Sequence, residues 1–277
     1  MNNSTIPNKY FETFKKYQKE NNAKLTKNAQ DEVNRAEKTK IEIEKFKRKL
    51  GNKIKLETVD DAQKIFNYFG IKTQKIDNDK LIISHYKQPE DYTFSDLEIN
   101  ESKLFKYVHK IKGDADFFLS EITNLNNLTS IEGKADFNQS EIIDLGKLTS
   151  IGGNADFRYS KINNLGILEN IEGNANFEHS EITNLNHLMR IGGTADFKHS
   201  KVENLGKLCY VGGNCIFTFS QITNLSNLIF IKGNADFRNS KINNLGYLYH
   251  IGGNVWLANS KIDTSKKMPE IKGKIYE

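Results

Sequence analysis

Two histidines at the same position of a repeated segment are the residues whose type and spacing come closest to a metal site. His179 and His199 stand twenty residues apart in the similar stretches "GNANFEHSEI" and "GTADFKHSKV". Imidazole binds Zn²⁺ and Cu²⁺, and on adjacent strands the two rings would lie about 5 Å apart. No third ligand is evident in the sequence, whereas zinc sites use three or four protein ligands. We therefore expect a variable position that faces solvent, with no metal and no cofactor.

The chain carries no motif of a common catalytic site. It contains no nucleophile elbow, no P-loop and no His-Glu-x-x-His motif, which are the spacings that such chemistry requires. The stretch "GGNADF" is similar to the calcium-binding G-G-x-G-x-D repeat of β-helical toxins. Its period is twenty residues instead of nine, and alanine replaces the third glycine. We expect no calcium binding, no hydrolase or transferase activity, and no small-molecule substrate.

An acidic position recurs in the same repeated segment. It is occupied by Asp116, Asp136, Asp156, Asn176, Asp196 and Asp236. Strand alternation would point this position outward, and like charges on neighbouring strands repel. We expect the basic residues two positions further on to neutralise it, which gives a secondary polar face of Asp156, Arg158, Asp196, Lys198, Asp236 and Arg238. Two interpretations stay open: a self-neutralised ladder, or a recognition face for a basic partner.

Apolar residues interrupt the acidic position near the end of the chain. Ile216 and Trp256, the only tryptophan, stand where aspartate is expected. Exposed aromatic clusters are typical of protein interfaces. We therefore predict a partner-binding site on the strand side of the last three repeats, formed by Tyr210, Ile216, Phe219, Phe230, Tyr247, Tyr249 and Trp256. The alternative is that Trp256 only covers the last repeat.

A twenty-residue repeat over residues 111–270 sets all of these positions. The first copy places its characteristic residues at Ile111, Gly113, Ala115, Phe117 and Ser120, followed by Ile, Leu and Leu. Repetition at a fixed period marks a solenoid, in which each coil must stack on its neighbours to bury its apolar face. The alternation Gly-x-Ala-x-Phe predicts a short strand with Ala and Phe inward. The sequence thus predicts an α+β protein with a parallel β-solenoid of about eight coils.

The spacing A-x-F-x-x-S-x-I-x-x-L-x-x-L-x-x-I resembles a leucine-rich repeat, whose pattern is L-x-L-x-x-N-x-L. It is also similar to the receptor L-domain variant of that family, and the resemblance covers about residues 95–277. Serine stands where the family's asparagine ladder usually runs, and phenylalanine takes a leucine position. We therefore expect a related but narrower coil. The resemblance implies a protein-recognition scaffold, because that is the predominant role of the family.

The N-terminal third differs in composition from the repeats. Thr58 and Asp61 form a capping box before an apolar helix pattern that Gly70 ends. The following residues predict a β-hairpin that turns at Asp77–Asp79. The predicted organisation is a basic helical hairpin at 1–55, an α-β-β capping unit at 56–94 and a solenoid at 95–277. Within the solenoid we expect a degenerate first coil at 95–110, regular coils at 111–270 and a C-terminal cap at 271–277.

Residues 1–55 are basic, with 15 Lys and Arg against 7 Asp and Glu, whereas the whole chain has a net charge of +5. A short helix is predicted at residues 8–20. A longer helix is predicted to have one apolar face, made of Ala29, Val33, Ala36, Ile43, Phe46 and Leu50. These helices could pack on the cap or contact the phosphates of a nucleic acid.

The composition favours a cytoplasmic protein. Hydrophobic residues make up 37% of the chain, no apolar run is long enough to span a bilayer, and the N-terminus does not resemble a secretory signal. Cys209 and Cys215 form no metal-type pair. The abundance of Lys, Asn and Ile suggests an AT-rich genome such as that of a bacterium or its phage.

Taken together, these patterns predict a non-enzymatic solenoid scaffold that binds another protein. One form of this function is a phage or mobile-element inhibitor that blocks a host protein such as a nuclease in the host cytoplasm. The alternative is a nucleic-acid-associated protein that contacts phosphates through the basic residues 1–55.

Overall fold

The computed structural model describes residues 24, 27, 30, 31, 34, 38, 41–50, 56–87 and 99–277. Every described position between 24 and 50 is helical, and residues 41–50 form a continuous helix, α1. The helix predicted at residues 8–20 and the apolar positions Ala29, Val33 and Ala36 lie outside the described residues. Within the described part of the chain, no helix is both long and apolar enough to cross a bilayer.

The solenoid has two parallel ladders of short strands, one on each side of a bend. The first ladder, sheet A, contains β1 (Thr73–Asp77), β2 (Lys80–Ile83), β4 (Val108–Ile111), β6 (Ser130–Ile131), β8 (Ser150–Ile151), β10 (Asn170–Ile171), β12 (Arg190–Ile191), β14 (Tyr210–Val211), β16 (Phe230–Ile231), β18 (His250–Ile251) and β20 (Glu270–Ile271). The second ladder, sheet B, contains β3 (Tyr86–Lys87), β5 (Ala115–Asp116), β7 (Ala135–Asp136), β9 (Ala155–Asp156), β11 (Ala175–Asn176), β13 (Ala195–Asp196), β15 (Cys215–Ile216), β17 (Ala235–Asp236), β19 (Val255–Trp256) and β21 (Ile275–Tyr276). The predicted fold class, a parallel β-solenoid behind helices and an α-β-β cap, is confirmed.

The second strand in each coil is a difference from the sequence expectation, which placed one strand at Gly-x-Ala-x-Phe. The buried isoleucine also lies in a strand, in which the residue before it points outward while Ile points inward. Between the two strands the chain bends at the invariant glycine. A Cβ on Gly153 would lie 2.7 Å from the backbone nitrogen of Lys134 in the preceding coil. Close approach of neighbouring coils therefore explains this glycine.

The phenylalanines form a continuous buried stack along the axis. Phe117 to Phe237 are at most 1% exposed, and successive ring centroids lie 5.0–5.5 Å apart. Tyr86 extends the stack into the cap, 4.9 Å from Phe117. Since a fully buried Phe contributes roughly 2–3 kcal/mol, this column is the main apolar spine of the rod.

Side-chain amides and carboxylates shape the turns of each coil. The Asn164 Oδ1 atom accepts a hydrogen bond from the backbone N–H of Gly166 (2.9 Å), which has a φ of 57°. The same bond is accepted by the asparagines at the equivalent position of other coils, Asn124, Asn184, Asn204, Asn224 and Asn244. This column therefore binds turn backbone.

The serine hydroxyls of the repeat bind turn backbone in only some of the coils. Ser160 Oγ donates to the carbonyl of Phe157 (2.9 Å), and Ser120 Oγ accepts from the N–H of Ile122 (3.1 Å). No hydrogen-bond partner in the described residues is found for the hydroxyls of Ser140, Ser180, Ser200, Ser220 and Ser240. Because Ser120 to Ser240 are all buried, the small size of serine beside the Phe stack is the property that these coils share.

An inter-coil asparagine ladder was not anticipated from the sequence. Asn154 Oδ1 accepts from the N–H of Asn174 (2.9 Å), and Asn174 Oδ1 accepts from the N–H of Thr194 (2.7 Å). The same bond links Asn234 and Asn254 (2.7 Å). The ladder lies at the bend between the two sheets and ties neighbouring coils together, except after Lys134, whose side chain has no acceptor.

The cap supplies the first rung of both sheets. Helix α2 (Val59–Tyr68) begins with the predicted capping box at Thr58 and Asp61. Strands β1 and β2 form the predicted antiparallel hairpin. Strand β2 then pairs in parallel with β4, and β3 pairs with β5. The first coil is therefore covered on both sheets by strands of the cap.

Helix α1 packs on this cap. Its Phe46 is buried and meets Tyr68 edge-on, with ring centroids 5.0 Å apart. Ile43 and Leu50 are partly buried against the same core. The described part of the predicted apolar face is thus a packing face.

Residues 101–105 form a short helix, α3 (Glu101–Phe105), where the sequence predicted a degenerate coil at 95–110. Asn100 caps this helix by accepting a hydrogen bond from the N–H of Lys103 (2.8 Å). Leu104, one of the residues that matched the repeat spacing, and Phe105 are both fully buried against the first coil. Capping by Asn100 explains why a helical turn forms here.

The predicted C-terminal cap at 271–277 is a further rung of both ladders. Ile271 pairs with Ile251 in sheet A, and Ile275 pairs with Val255 in sheet B. The rod therefore keeps its two-sheet form through the last described residues.

Candidate functional site

The structure divides the seven predicted partner-binding residues between different surfaces. Tyr210 and Phe230 lie on the outer side of sheet A, with Tyr249 directly before strand β18 and Tyr247 in the preceding turn. On sheet B lie Ile216 and Trp256, and Phe219 occupies the corner that follows this sheet. The bend between the sheets separates the two groups.

The sheet-A residues belong to a larger apolar patch in the last coils. In the early coils the two outward columns of this sheet carry Thr129 with Ser130 and Thr149 with Ser150. In the later coils the same columns carry the residues that we call the sheet-A patch: Met189, Arg190, Tyr210, Ile229, Phe230, Tyr249 and His250. The side chains of Met189, Ile229, Phe230 and Tyr249 are exposed, at 39%, 37%, 40% and 62%. Met189 and Ile229 were not predicted as partner-binding residues, although a comparison of equivalent positions in successive repeats reveals them.

Contacts within the patch hold its rings in place. Tyr210, Phe230 and His250 are direct neighbours in register on three adjacent strands. Phe230 meets Tyr249 edge-on with ring centroids 6.0 Å apart, and the imidazole of His250 lies 6.3 Å away. Rigid aromatic side chains lose little conformational entropy on binding. The patch is therefore a preformed apolar surface.

Two basic residues flank Tyr210. The Arg190 guanidinium carbon lies 4.3 Å from the centre of the tyrosine ring, and Lys232 Nζ lies 5.7 Å from it. The ring rests on the backbone at Gly212, where an added Cβ would come within 3.3 Å of its Cε1 atom. The ammonium group of Lys232, and then the guanidinium of Arg190, hold the pKa of Tyr210 below its ordinary range. The positive charges of Arg190 and Lys232 therefore lie next to an apolar surface.

The aspartates of the acidic column on sheet B form hydrogen bonds and ion pairs within the protein. The Oδ1 atoms of Asp156 and Asp196 accept hydrogen bonds from the backbone two residues further on, at 3.0 and 2.9 Å. Arg158 and Asp156 form the predicted ion pair (2.6 Å). The equivalent pair joins Arg238 and Asp236 (2.6 Å). The secondary polar face is largely occupied by its own contacts.

Lys198 departs from the predicted pairing. Its Nζ atom lies 3.4 Å from Glu178 Oε1 of the preceding coil, so the counter-charge predicted for Asp196 pairs with a different carboxylate. Coils are separated by only about 5 Å, which lets a lysine reach the neighbouring coil as easily as its own. Burial is the main cause that raises the pKa of Asp196.

Trp256 stacks on the last strand of sheet B. Its ring lies 5.6 Å from that of Tyr276 with an angle of 10° between the planes. Because Tyr276 is the register neighbour of Trp256 on the next strand, its ring covers one face of the indole on the outer side of sheet B. Ile216 stands between Asp196 and Asp236 in the same sheet and does not belong to the sheet-A patch.

A ladder of stacked rings follows the corner after sheet B. Tyr159, His179, His199 and Phe219 are exposed, and successive rings lie 5.1, 5.2 and 4.9 Å apart. The spacing predicted for the two histidines is confirmed. All four residues have a left-handed backbone, with φ of 52–57°, which costs about 1–2 kcal/mol per residue. Among the described residues, no group of three or more His, Cys, Asp or Glu is placed to hold a metal ion.

No protein-family model, no curated protein and no solved structure matches this chain. The resemblance to leucine-rich repeats is therefore one of residue spacing. Each coil here contributes strands to two sheets, whereas a leucine-rich repeat contributes one strand to its horseshoe. The functional proposal rests on the surface of this fold.

Proposed function

We propose that the chain is a non-enzymatic scaffold that binds another protein through the sheet-A patch. The observation that supports this is the change of two outward columns from Thr and Ser in the early coils to Met, Ile, Phe and Tyr in the later ones. The inward columns do not change over the same coils, since Ile191, Val211, Ile231 and Ile251 stay fully buried. Selection on the surface, and not decay of the repeat, explains such a pattern.

The chemistry of the patch fits a protein partner. Central aromatic side chains commonly dominate interface energies, at about 2 kcal/mol or more when they become fully buried. Phe230 and Tyr249 supply such anchors, and Arg190 and Lys232 supply a charged rim. A partner with an apolar surface and an acidic edge would complement this arrangement.

We propose inhibition by steric blocking as the narrower form of this function. A rigid rod needs no active site to cover the surface of another protein, and the sequence carries no catalytic motif. The target would be a host enzyme such as a nuclease, met in the host cytoplasm by a phage-encoded or mobile-element chain. Adding the purified chain to its captured partner should lower the enzymatic activity of that partner. Unchanged activity would indicate that the chain is an adaptor and not an inhibitor.

The double variant Phe230→Ser, Tyr249→Ser should weaken partner binding at least about tenfold, because two central aromatic anchors are lost. Both side chains are exposed, so the melting temperature should change little. The matched control is Phe118→Ser with Tyr159→Ser, two aromatics of similar exposure on another surface. Quantitative capture from a lysate of the native host should recover a protein with wild type and control that the patch variant loses. Equal recovery by all three would contradict the proposal.

Nucleic-acid binding through residues 1–55 is the second candidate, supported by their net charge of +8. Phosphate contacts make affinity fall steeply with salt, because each neutralised phosphate releases counterions. Helix α1 instead packs Phe46 against the cap, so we expect no submicromolar binding to duplex or single strands at physiological salt. Electrophoretic mobility shifts measure this binding for wild type and for a variant in which Gln replaces the Lys and Arg of residues 1–40. Tight binding by wild type that the variant loses would make nucleic-acid binding the first candidate function.

A further inference from the structure

A small cationic site lies at the edge of the sheet-A patch, where Lys232 adjoins it. Arg190 stacks on the ring of Tyr210 from the preceding coil, and Lys232 approaches the same ring from the following coil. Gly212 leaves room for the ring to lie flat on the sheet. Three neighbouring coils thus bring a guanidinium, a phenol hydroxyl and an ammonium group to one place.

The charges of this site are not fully balanced by the protein. Arg190 has one carboxylate neighbour, Glu172, whose oxygen lies 3.6 Å away, and both side chains are about half exposed. No ion pair joins Lys232 to a carboxylate in the described part of the chain. A single negative charge brought by a ligand would therefore complete the site.

Apolar groups adjoin the cationic site on one side. Phe230 is the direct cross-strand neighbour of Tyr210, and Ile229 and Tyr249 lie beside it and are exposed. When an anionic group of a ligand binds to the cations, the adjacent parts of that ligand would contact these apolar side chains. The ligand must therefore carry an anion and apolar groups close together.

We propose that Arg190, Tyr210 and Lys232 bind one carboxylate of an acidic and apolar peptide segment on the partner protein. This inference rests on the proposed function and names the chemistry of its partner. Arginine presents a planar fork that matches a carboxylate, and the tyrosine ring beneath it fixes the plane of that fork. The hydroxyl of Tyr210 and the ammonium of Lys232 complete the set of donors.

The carboxylate of Glu172 disfavours a polyanion at this site. Its oxygen lies 3.6 Å from the guanidinium of Arg190. Glu270, beyond His250, is already paired with His250 (3.0 Å) and with Lys272 (2.5 Å). A nucleic-acid backbone that ran along the rod would meet the negative charge of Glu172 beside the cationic site, whereas an isolated carboxylate flanked by apolar side chains avoids it.

Selection of peptides from a displayed random library on the immobilised full chain tests this inference. Peptides retained by wild type should be enriched in Asp or Glu next to Leu, Ile, Phe or Trp. The double variant Arg190→Gln, Lys232→Gln should bind a selected peptide about tenfold more weakly, as expected for the loss of charge-assisted hydrogen bonds. Replacing the acidic residue of the peptide by its amide should have the same effect on wild type and no further effect on the variant.

Three further variants separate the contributions. Tyr210→Phe keeps the ring and removes the hydroxyl, so it should weaken binding less than the double variant does. Lys110→Gln removes a lysine from the same outward column at the other end of sheet A and should change nothing. Phe230→Ser should lower the affinity for every selected peptide, acidic or not. Thermal melts establish that each variant is folded.

The outcomes distinguish this inference from the proposed function. Selected peptides that are apolar without acidic enrichment, and that Phe230→Ser loses, would overturn the inference and leave the protein-binding function standing. Absence of any selected peptide would count against both. Displacement of selected peptides by a short oligodeoxythymidylate at physiological salt would overturn the inference in favour of a nucleic-acid ligand.

Discussion

Replacing Phe177 by alanine should lower the free energy of unfolding by about 3–5 kcal/mol. The side chain is fully buried in the middle of the stack, with neighbouring ring centroids at 5.2 Å (Phe157) and 5.0 Å (Phe197). Coils above and below hold the cavity open, because their backbones are tied together by both sheets. Equilibrium urea unfolding measures the loss.

Phe177→Leu is the matched control, since the equivalent position of the last coil is Leu257, which is buried. It should cost clearly less than Phe177→Ala, because most of the volume is retained. Solenoid coils are stabilised by their neighbours, so the alanine variant should also weaken adjacent coils. A loss below about 1 kcal/mol would show that the Phe stack is not the spine of the rod.

Replacing Glu101 by glutamine should remove most of the pH dependence of stability between pH 5 and pH 9. Glu101 lies in helix α3 against the first coil and is 7% exposed. Burial raises its pKa to about 8, and the nearby carboxylate of Glu121 adds to this, while the hydroxyl of Ser120 acts in the opposite direction. Because the pKa is higher in the folded state, the folded protein holds this proton more tightly than the unfolded chain does.

The sign of the effect follows from this difference. Stability from Glu101 is fully present below the pKa of the unfolded chain, near 4.5, and is lost as the pH rises to about 8. At about 1.4 kcal/mol per pKa unit, the wild-type protein should lose about 3–5 kcal/mol over this range. Glu101→Gln should be nearly flat, and Glu121→Gln, which removes only a smaller contribution to the raised pKa of Glu101, should lower the slope slightly. Parallel curves for wild type and Glu101→Gln would contradict this account.

The core of the fold was predictable because its period is fixed by stacking. Every coil must present the same apolar side chains to its neighbours, so Phe177 and Ile191 could be assigned to the interior from the repeat alone. The second strand of each coil escaped prediction because it contains a single buried residue beside a variable one. Helix α3 escaped because local capping by Asn100 outweighs a loose match to the repeat spacing.

The candidate site was predictable only in part for a geometric reason. Tyr210 and Ile216 are six residues apart in sequence, but the bend at Gly212 and Gly213 places them on different sheets. Residues twenty apart, such as Tyr210 and Phe230, are the true neighbours. The pairing of Lys198 with Glu178 has the same cause. Reading the surface by columns, instead of by proximity in sequence, recovers the sheet-A patch.

Site-specific photo-crosslinking in native host cells tests the central claim most directly. A benzophenone amino acid would replace Tyr249 in the sheet-A patch and, in separate chains, Ser150 in the polar part of the same sheet and Trp256 in sheet B. Because the crosslink forms only with a group in contact, the account predicts a discrete protein adduct at position 249 and none at 150 or 256. Equal labelling at all three positions, or an adduct only at 256, would contradict the claim that the sheet-A patch is the recognition surface.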